Sequence, residues 1–246
     1  MKLSLYAFAM CQSMFCAIPF PGNLWEEKAR GRMLLFLPLV GLEIGALWAL
    51  AVWVCRKLCL PPLVMGLVLA LCPYVLTGGI HLDGFMDVTD AVRSWRDVER
   101  RREILKDSHV GSFAVVGLAM LLLAQFACLA SLPDAAPAGV LALIPAVSRC
   151  GSALAVTGLP PMSTSQYAAQ KKPKSHLWLV SAMAAGLVTV GFLFFGKYGL
   201  ALVGCLGGYG LALRRAYRSL AGMNGDVAGY ALTLGELCGV AVCVLL

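Results

Sequence analysis

Three aspartates near the middle of the sequence are spaced to share one face of a helix. Asp83, Asp87 and Asp90 follow one another at steps of four and three residues, and such positions lie on the same side of an α-helix. The plain interpretation is a solvated acidic face. The alternative is a cation site, because stacked carboxylates repel one another and an all-oxygen set suits Mg²⁺, which completes its octahedron with water and phosphate oxygens.

The residues around these aspartates favour the cation site. Gly78 and Gly79 precede the acidic segment and Gly84 follows Asp83, so a phosphate could approach the backbone there. His81 is a candidate proton acceptor next to the same segment. The segment from residue 81 to 111 contains seven of the thirteen carboxylates of the chain.

Two further polar segments each precede an apolar run. In the first, Lys106 is a candidate phosphate ligand, while Asp107 and Ser108 are of the types that cap helix N-termini. In the second, Asp226 follows a Gly-rich turn that contains Asn224 and would add a fourth carboxylate to a shared metal site. Alone, each segment is also compatible with an ordinary helix start.

Composition places the chain in a membrane. Hydrophobic residues make up 60% of the sequence, charged residues 13%, and the mean hydropathy is +0.81, whereas about a quarter of residues are charged in soluble domains. The 246 residues predict a single membrane-embedded domain, residues 1–246, of the all-α class. The net charge of +7 is better explained by basic loops at a membrane than by nucleic-acid binding.

Seven apolar segments are long enough or nearly long enough to cross a bilayer. An additional apolar segment, residues 3–20, is marginal in length and predicts an interfacial or re-entrant helix. Alternate loops hold fifteen and three Lys and Arg, and the positive-inside rule places the richer set, with all the candidate ligands, in the cytoplasm. The predicted spans are residues 33–55, 62–77, 110–132, 138–157, 177–195, 199–213 and 227–246.

Charged residues inside predicted spans need partners, since an isolated charge in a bilayer is expensive. Glu43, Arg149 and Glu236 all lie on the order of 13–15 Å from the inner boundary at 1.5 Å per residue. We expect Arg149 to pair with Glu43, with Glu236 or with both. Lys171 and Lys172 lie instead in a loop and are candidates for guiding an anionic substrate.

Across nearly its whole length the sequence resembles the cobalamin synthase family, the adenosylcobinamide-GDP ribazoletransferases. The most specific similarity is the block HLDG-x2-D-x2-D at residues 81–90, followed by KDS-x-x-G at residues 106–111. Further similar segments are IPFP at 18–21, AVSR at 146–149, GMNGDVAGY at 222–230 and GEL at 235–237.

The resemblance implies a Mg²⁺-dependent transfer of the cobinamide phosphate of adenosylcobinamide-GDP to a ribose hydroxyl of α-ribazole or its 5′-phosphate, with release of GMP. It implies that Asp83, Asp87, Asp90 and Asp226 hold the metal, and that the corrinoid nucleotide and α-ribazole are the partners. His81, Lys106 and Asp107 join the aspartates as catalytic candidates, and the substrate-binding candidates are Gly84, Ser108, Arg149, Asn224, Lys171 and Lys172.

The chain departs from the family pattern at a few positions outside the aspartate block. Thr233 stands where the family has a glutamate three residues before Glu236, His109 stands where an arginine is common, and Cys16-Ala17 replaces Thr-Arg. Glu43 occupies a position expected to be apolar and lies at a similar depth to residue 233.

Two other functions are compatible with parts of the sequence. A CDP-alcohol phosphotransferase also begins its metal motif with Asp-Gly, but Asp87-Val88 stands where that motif has Ala-Arg. A secondary transporter would place its key groups at the midplane, whereas here they lie near one surface. The resemblance places the chain in a bacterial or archaeal cytoplasmic membrane, with a homo-oligomer or other cobamide-assembly enzymes as compatible partners.

Overall fold

The computed structural model describes residues 2–22, 24–162, 165 and 173–246. Within these ranges the chain forms ten α-helices, two 3₁₀ segments and no β-strand, which confirms the all-α class. The helices are α1 (Lys2–Phe15), α2 (Leu37–Lys57), α3 (Pro62–Leu76), α4 (Ile80–Arg93), α5 (Val98–Ile104), α6 (Ser112–Ala130), α7 (Ala138–Gly158), α8 (Lys174–Phe195), α9 (Leu200–Leu220) and α10 (Gly225–Leu245).

Five helical stretches of the described chain are long and apolar enough to cross a membrane, or up to six if the bent pair α3 and α4 counts as one. They are Glu27–Lys57, Ser112–Ala130, Ala138–Gly158, Lys174–Leu220 and Gly225–Leu245. The longest of them contains both α8 and α9. The prediction of a membrane protein with several spanning helices is confirmed. The predicted number of seven spans stays a prediction.

The polar helix α4 does not continue α3 through the membrane. The two helices are bent by 93° at their junction, where Gly78 and Gly79 have φ of +63° and +79°. Residues with a side chain rarely adopt these angles, so the two glycines permit the turn. The bend turns α4 away from the direction of α3, and α3 ends at Leu76, next to the predicted end of the apolar segment at Thr77.

Helix α7 forms the centre of the bundle. Fifteen of its 21 residues are buried, including both Pro145 and Arg149. Helix α2 packs against it so closely that a Cβ on Gly41 would come within 2.5 Å of the Pro145 carbonyl oxygen and 2.8 Å of the Arg149 Cδ. Small residues allow this approach of backbones, which is the main way helices pack in lipid.

The polar loops of the chain meet at one end of the bundle. Arg102 in α5 donates hydrogen bonds to the carbonyls of Leu220 and Ala221, at the end of α9. Met162, in the loop after α7, donates a backbone hydrogen bond of 2.9 Å to Met223, in the link between α9 and α10. Residues of the loops 80–109 and 214–226 and the start of the loop 158–176 therefore meet on one side, as predicted for these three, and we call this side the polar end.

The opposite end is built from the shorter loops. Arg56, at the end of α2, donates hydrogen bonds of 3.0 and 2.8 Å to the carbonyls of Ala136 and Pro133. The side chain of Lys197 donates to the carbonyl of Leu246. The two sets of loops predicted from charge counting are thus separated by the length of the helices.

The first helix packs near the start of α2 and the end of α3. At 14 residues, α1 is about 21 Å long at 1.5 Å per residue, shorter than a hydrocarbon core of about 30 Å. Its Phe8 packs edge-on against Phe36 at 6.0 Å, and Ala17 donates to the carbonyl of Leu76 at 2.7 Å. The interfacial or re-entrant placement of this segment stays a prediction.

Candidate active site

The three aspartates of the acidic segment lie on helix α4, as their spacing predicts. Asp83 is exposed, while Asp87 and Asp90 are partly buried. The other face of the helix is apolar and buried, with Phe85, Val88 and Val92 in the core. Burial of this apolar face fixes the rotation of α4 and turns the carboxylates toward the polar end.

Helix α10 brings a fourth carboxylate to this group. Asp226 lies in its first turn, and the side chain of Asn224 caps the helix by accepting from the Val227 N–H at 2.9 Å. The same Asn224 side chain donates to the Asp226 carboxylate at 2.6 Å. A Cβ on Gly84 would lie 2.9 Å from the Asp226 Cα, so the glycine lets α4 pack directly against the start of α10.

The carboxylate of Asp90 points toward the start of α6. A Cβ built on Gly111 would overlap both carboxylate oxygens of Asp90, so only glycine leaves room for this side chain. Gly111 is also the N-cap residue of α6 and makes no side-chain cap. The KDS-x-x-G block therefore contributes its glycine to the site by direct contact with the aspartate block.

Asp87 is the carboxylate on which the charges of the other three act. Its burial, followed by the charges of Asp83, Asp226 and Asp90, raises the pKa of Asp87 to about 6. Because all three neighbours act on this one group, the four side chains share one region. Their mutual repulsion favours any cation that enters it.

The residues present fit Mg²⁺ held jointly with a ligand. Among the described residues, no three His, Cys, Asp or Glu side chains are arranged to hold a metal ion by themselves. The four carboxylates therefore do not form a closed cage. This suits Mg²⁺, which proteins usually bind through one or two carboxylates together with substrate phosphates and water.

His81 lines a cavity next to the carboxylates. The cavity has a volume of about 110 Å³ and is also lined by Phe15, Ser152, Asp226 and Gly229. His81 is 8% exposed, its ring stacks on Phe15 at 6.1 Å, and its Nε2 has no hydrogen-bond partner in the described part of the protein.

The His81 ring is uncharged at neutral pH. Burial, and secondarily the positive charge of Arg149, lowers the pKa of His81 well below its ordinary value. A neutral imidazole keeps one nitrogen free to accept a hydrogen bond. The cavity therefore combines an acceptor from α4 with a carboxylate from α10.

The polar segment before α6 is exposed. Asp107 accepts from the backbone N–H of His109 at 3.0 Å and lies 2.6 Å from its ring Nδ1, while Lys106 and Ser108 are open to solvent. The suggestion that Asp107 or Ser108 caps α6 was wrong, because the helix begins at Ser112 with Gly111 as its N-cap. Asp107 instead closes a local turn.

The buried charges form the predicted cluster with one of the two expected carboxylates. The Arg149 Nη1 donates to Glu236 at 2.8 Å, and Ser148 donates to the same carboxylate oxygen at 2.8 Å. Glu43 accepts from Gln12 instead, at 2.9 Å, and no ion pair joins Glu43 to Arg149 within these residues. Because Arg149 is 1% exposed, it lies in a structural pair and not on an open substrate surface.

Several parts of the site carried no clear signal in the sequence. Phe15, which stacks on His81, belongs to the apolar helix α1. Nothing in the sequence distinguishes it from the other aromatic residues of that helix. A Cβ built on Gly229 would lie 3.5 Å from the His81 Cα. This contact between α10 and α4 is seen only in the structure. Lys171 and Lys172 lie outside the described residues.

Comparison with known proteins places the chain in one family. The family model of cobalamin-5-phosphate synthase matches residues 7–244. A Clostridium perfringens (strain ATCC 13124) protein named adenosylcobinamide-GDP ribazoletransferase is 36% identical over 245 residues, covering 98% of each chain. Proteins of the same name from Lachnoclostridium phytofermentans and Clostridium botulinum (strain Alaska E43) are 33% and 30% identical, over 94% and 98% of this chain and 91% and 97% of their own. No solved structure matches.

Proposed function

We infer the reaction from the fact that the chain belongs to the cobalamin-5-phosphate synthase family. It is an adenosylcobinamide-GDP ribazoletransferase, in agreement with the names of relatives that it matches over nearly its full length. The chain therefore acts in cobamide biosynthesis. Membership in this family also argues against the CDP-alcohol phosphotransferase and transporter alternatives.

The transfer exchanges one phosphorus–oxygen bond for another. The ribose hydroxyl oxygen of α-ribazole, or of its 5′-phosphate, bonds to the cobinamide-linked phosphorus, and the anhydride bond to the GMP phosphate breaks. GMP leaves with the bridging oxygen, and the hydroxyl proton passes to a base. Such a displacement depends on positioning and on neutralising the charge of the diphosphate.

The observation that supports this site most strongly is the group of four carboxylates around Asp87. When bound there through one or two of the carboxylates of Asp83, Asp87, Asp90 and Asp226, together with substrate phosphate oxygens, Mg²⁺ would neutralise diphosphate charge. The N-terminus of α4 is open, since nothing lies within 4 Å of a Cβ built on Gly79. Helix N-termini favour anions, so a diphosphate can lie between this helix end and the metal.

We propose that the cavity beside His81 receives the attacking hydroxyl. His81, whose Nε2 has no partner among the described residues, and Asp226 both line it, and either side chain can accept the proton. The pairing of His81 with Phe15 holds the ring in place. Lys106, exposed at the same end, is available to a substrate phosphate.

We further propose seven crossings with the polar end in the cytoplasm. A Cβ built on Gly191 in α8 would lie 3.6 Å from the Cα of Gly199, which immediately precedes α9. Because this contact requires the chain to reverse direction after α8, it supports counting α8 and α9 as separate crossings. The excess of Lys and Arg in the loops of the polar end supports the orientation.

The reaction is tested with purified protein, adenosylcobinamide-GDP, α-ribazole and Mg²⁺, with GMP and the completed cobamide as the measured products. We expect turnover by the wild type and by Asp134→Asn, an exposed aspartate at the opposite end. Asp87→Asn should lose turnover while remaining folded in detergent. Full turnover by Asp87→Asn would contradict the assignment of the site.

A further inference from the structure

A second cavity lies on the side of α4 that faces away from the aspartates. It has a volume of about 250 Å³ and lies between α4, α6, α9 and α10. Phe85, Thr89 and Val92 line it from α4, at helical steps of four and three residues. Asp83 and Asp87 occupy the opposite face of this helix, whereas Asp90 lies one turn before Arg93, so the wall formed by Phe85, Thr89 and Val92 is distinct from the face that carries Asp83 and Asp87.

Two arginines stand at the polar end of this cavity. Arg93 ends α4 and Arg215 belongs to the last turns of α9, and both line the cavity. Both are exposed, and neither forms a hydrogen bond or ion pair with any residue that the structure describes. Two guanidinium groups facing one cavity without a carboxylate between them favour an anionic ligand, which each can bind through paired N–H groups.

A buried hydroxyl without a partner belongs to one of the residues that line the same cavity. Thr89 is 4% exposed, and its Oγ1 has no hydrogen-bond partner among the described residues. A buried polar group without a partner is costly, so such atoms usually meet a ligand or water. This observation is independent of the arginines and also indicates an oxygen-bearing ligand.

The rest of the cavity wall is apolar and runs into the membrane region. Its apolar side chains come from α6 and α10, namely Met120, Leu121, Leu234 and Leu237. At 1.5 Å per residue, Met120 lies about 12 Å from the start of α6 and Leu237 about 18 Å from the start of α10. Met120 is 59% exposed, so the cavity opens sideways, toward lipid.

We propose that this groove binds an anionic phospholipid of the surrounding membrane. The phosphate diester contacts Arg93 and Arg215, the Thr89 hydroxyl bonds an oxygen of the headgroup region, and one acyl chain lies along the apolar wall. The cavity matches both parts of such a molecule: its arginines suit the anionic headgroup at the membrane surface, and its apolar wall suits an acyl chain deeper in the membrane. The lipid then packs against the α4 face opposite the aspartates.

The proposal is tested by lipid binding to the whole protein, independently of its enzymatic activity. Delipidated protein is titrated with phosphatidylglycerol or phosphatidylcholine, and bound lipid is counted by native mass spectrometry. We expect the wild type to prefer phosphatidylglycerol by on the order of tenfold. Thr89→Val, which removes the hydroxyl at nearly constant shape, should weaken binding of both lipids by a few-fold.

The matched variants distinguish lipid binding in this cavity from attraction to the general positive charge of the surface. Arg93→Gln with Arg215→Gln should remove the preference, whereas Arg96→Gln with Arg218→Gln, exposed arginines that do not line the groove, should keep it. Equal binding of both lipids by the wild type, or equal loss of preference in both double variants, would overturn the proposal. Displacement of the lipid by free glycerol 3-phosphate at similar concentration would overturn it too, by showing a site for a phosphate ester alone.

Discussion

At the scale of single residues, the site depends on where glycine leaves space for a carboxylate. Gly111 has φ of −82° and ψ of 162°, values that alanine adopts without strain. The constraint at this position is therefore not conformational. It is the space occupied by the carboxylate of Asp90.

Gly111→Ala should displace Asp90 without disturbing the backbone. A shift of about 1 Å at a catalytic group can lower turnover by roughly a hundredfold, so we expect a loss of tenfold or more in kcat with little change in thermal stability. Gly207→Ala is the control, since nothing lies within 4 Å of its Cβ. Equal activity of the two variants would show that Asp90 has no role in turnover.

The raised pKa of Asp87 predicts a dependence of the Mg²⁺ requirement on pH. Protons and metal compete for the same carboxylate, and this group becomes protonated as the pH falls through about 6. Each further pH unit downward should raise the half-saturating Mg²⁺ concentration roughly tenfold, while activity at saturating Mg²⁺ changes less. The prediction would be contradicted if the half-saturating Mg²⁺ concentration stayed constant between one pH unit above and one pH unit below this pKa.

At the scale of elements, the sequence predicts what each segment is better than which segments touch. The spacing of Asp83, Asp87 and Asp90 is a local property of one helix, so their common face was predictable. The contact of Gly84 with Asp226 depends on how α4 and α10 pack, which no local pattern encodes. In the same way, Glu43 and Glu236 lie at similar depth, and only the packing of α10 against α7 decides that Arg149 pairs with Glu236.

The Arg149–Glu236 pair should stabilise the contact of α7 with α10. Glu236→Gln leaves a buried guanidinium without its counter-charge, which typically lowers the free energy of unfolding by about 3–5 kcal/mol. Glu43→Gln keeps an acceptor for Gln12 and should cost about 1 kcal/mol or less. Unfolding in mixed detergent micelles measures both. Similar stability of the two variants would mean that the charge of Arg149 is compensated elsewhere.

At the scale of the whole molecule, the arrangement of loops brings the chemistry to one surface. Loops distant in sequence meet at the polar end, where Arg102 reaches Leu220 and Met162 reaches Met223. Alternation of loops along a polytopic chain already predicts two opposite ends. The bend between α3 and α4 was less predictable, because it depends on two glycines with positive φ.

Native Cys59 reports the orientation of the molecule. It is exposed and lies between α2 and α3, at the end opposite the aspartates. If the polar end faces the cytoplasm, a membrane-impermeant maleimide should label intact cells, and Cys59→Ser should remove most of that labelling. Labelling of Cys59 only after the membrane is opened would reverse the orientation.

The proposed reaction requires that the carboxylates around Asp87 hold a divalent metal together with the diphosphate. The most direct measurement is a Mn²⁺ titration, followed by the electron paramagnetic resonance signal of free Mn²⁺, with and without adenosylcobinamide-GDP. We expect the substrate to tighten Mn²⁺ binding to the wild type and to Asp134→Asn, and Asp87→Asn to lose this effect. Unchanged, substrate-coupled Mn²⁺ binding by Asp87→Asn would contradict the account.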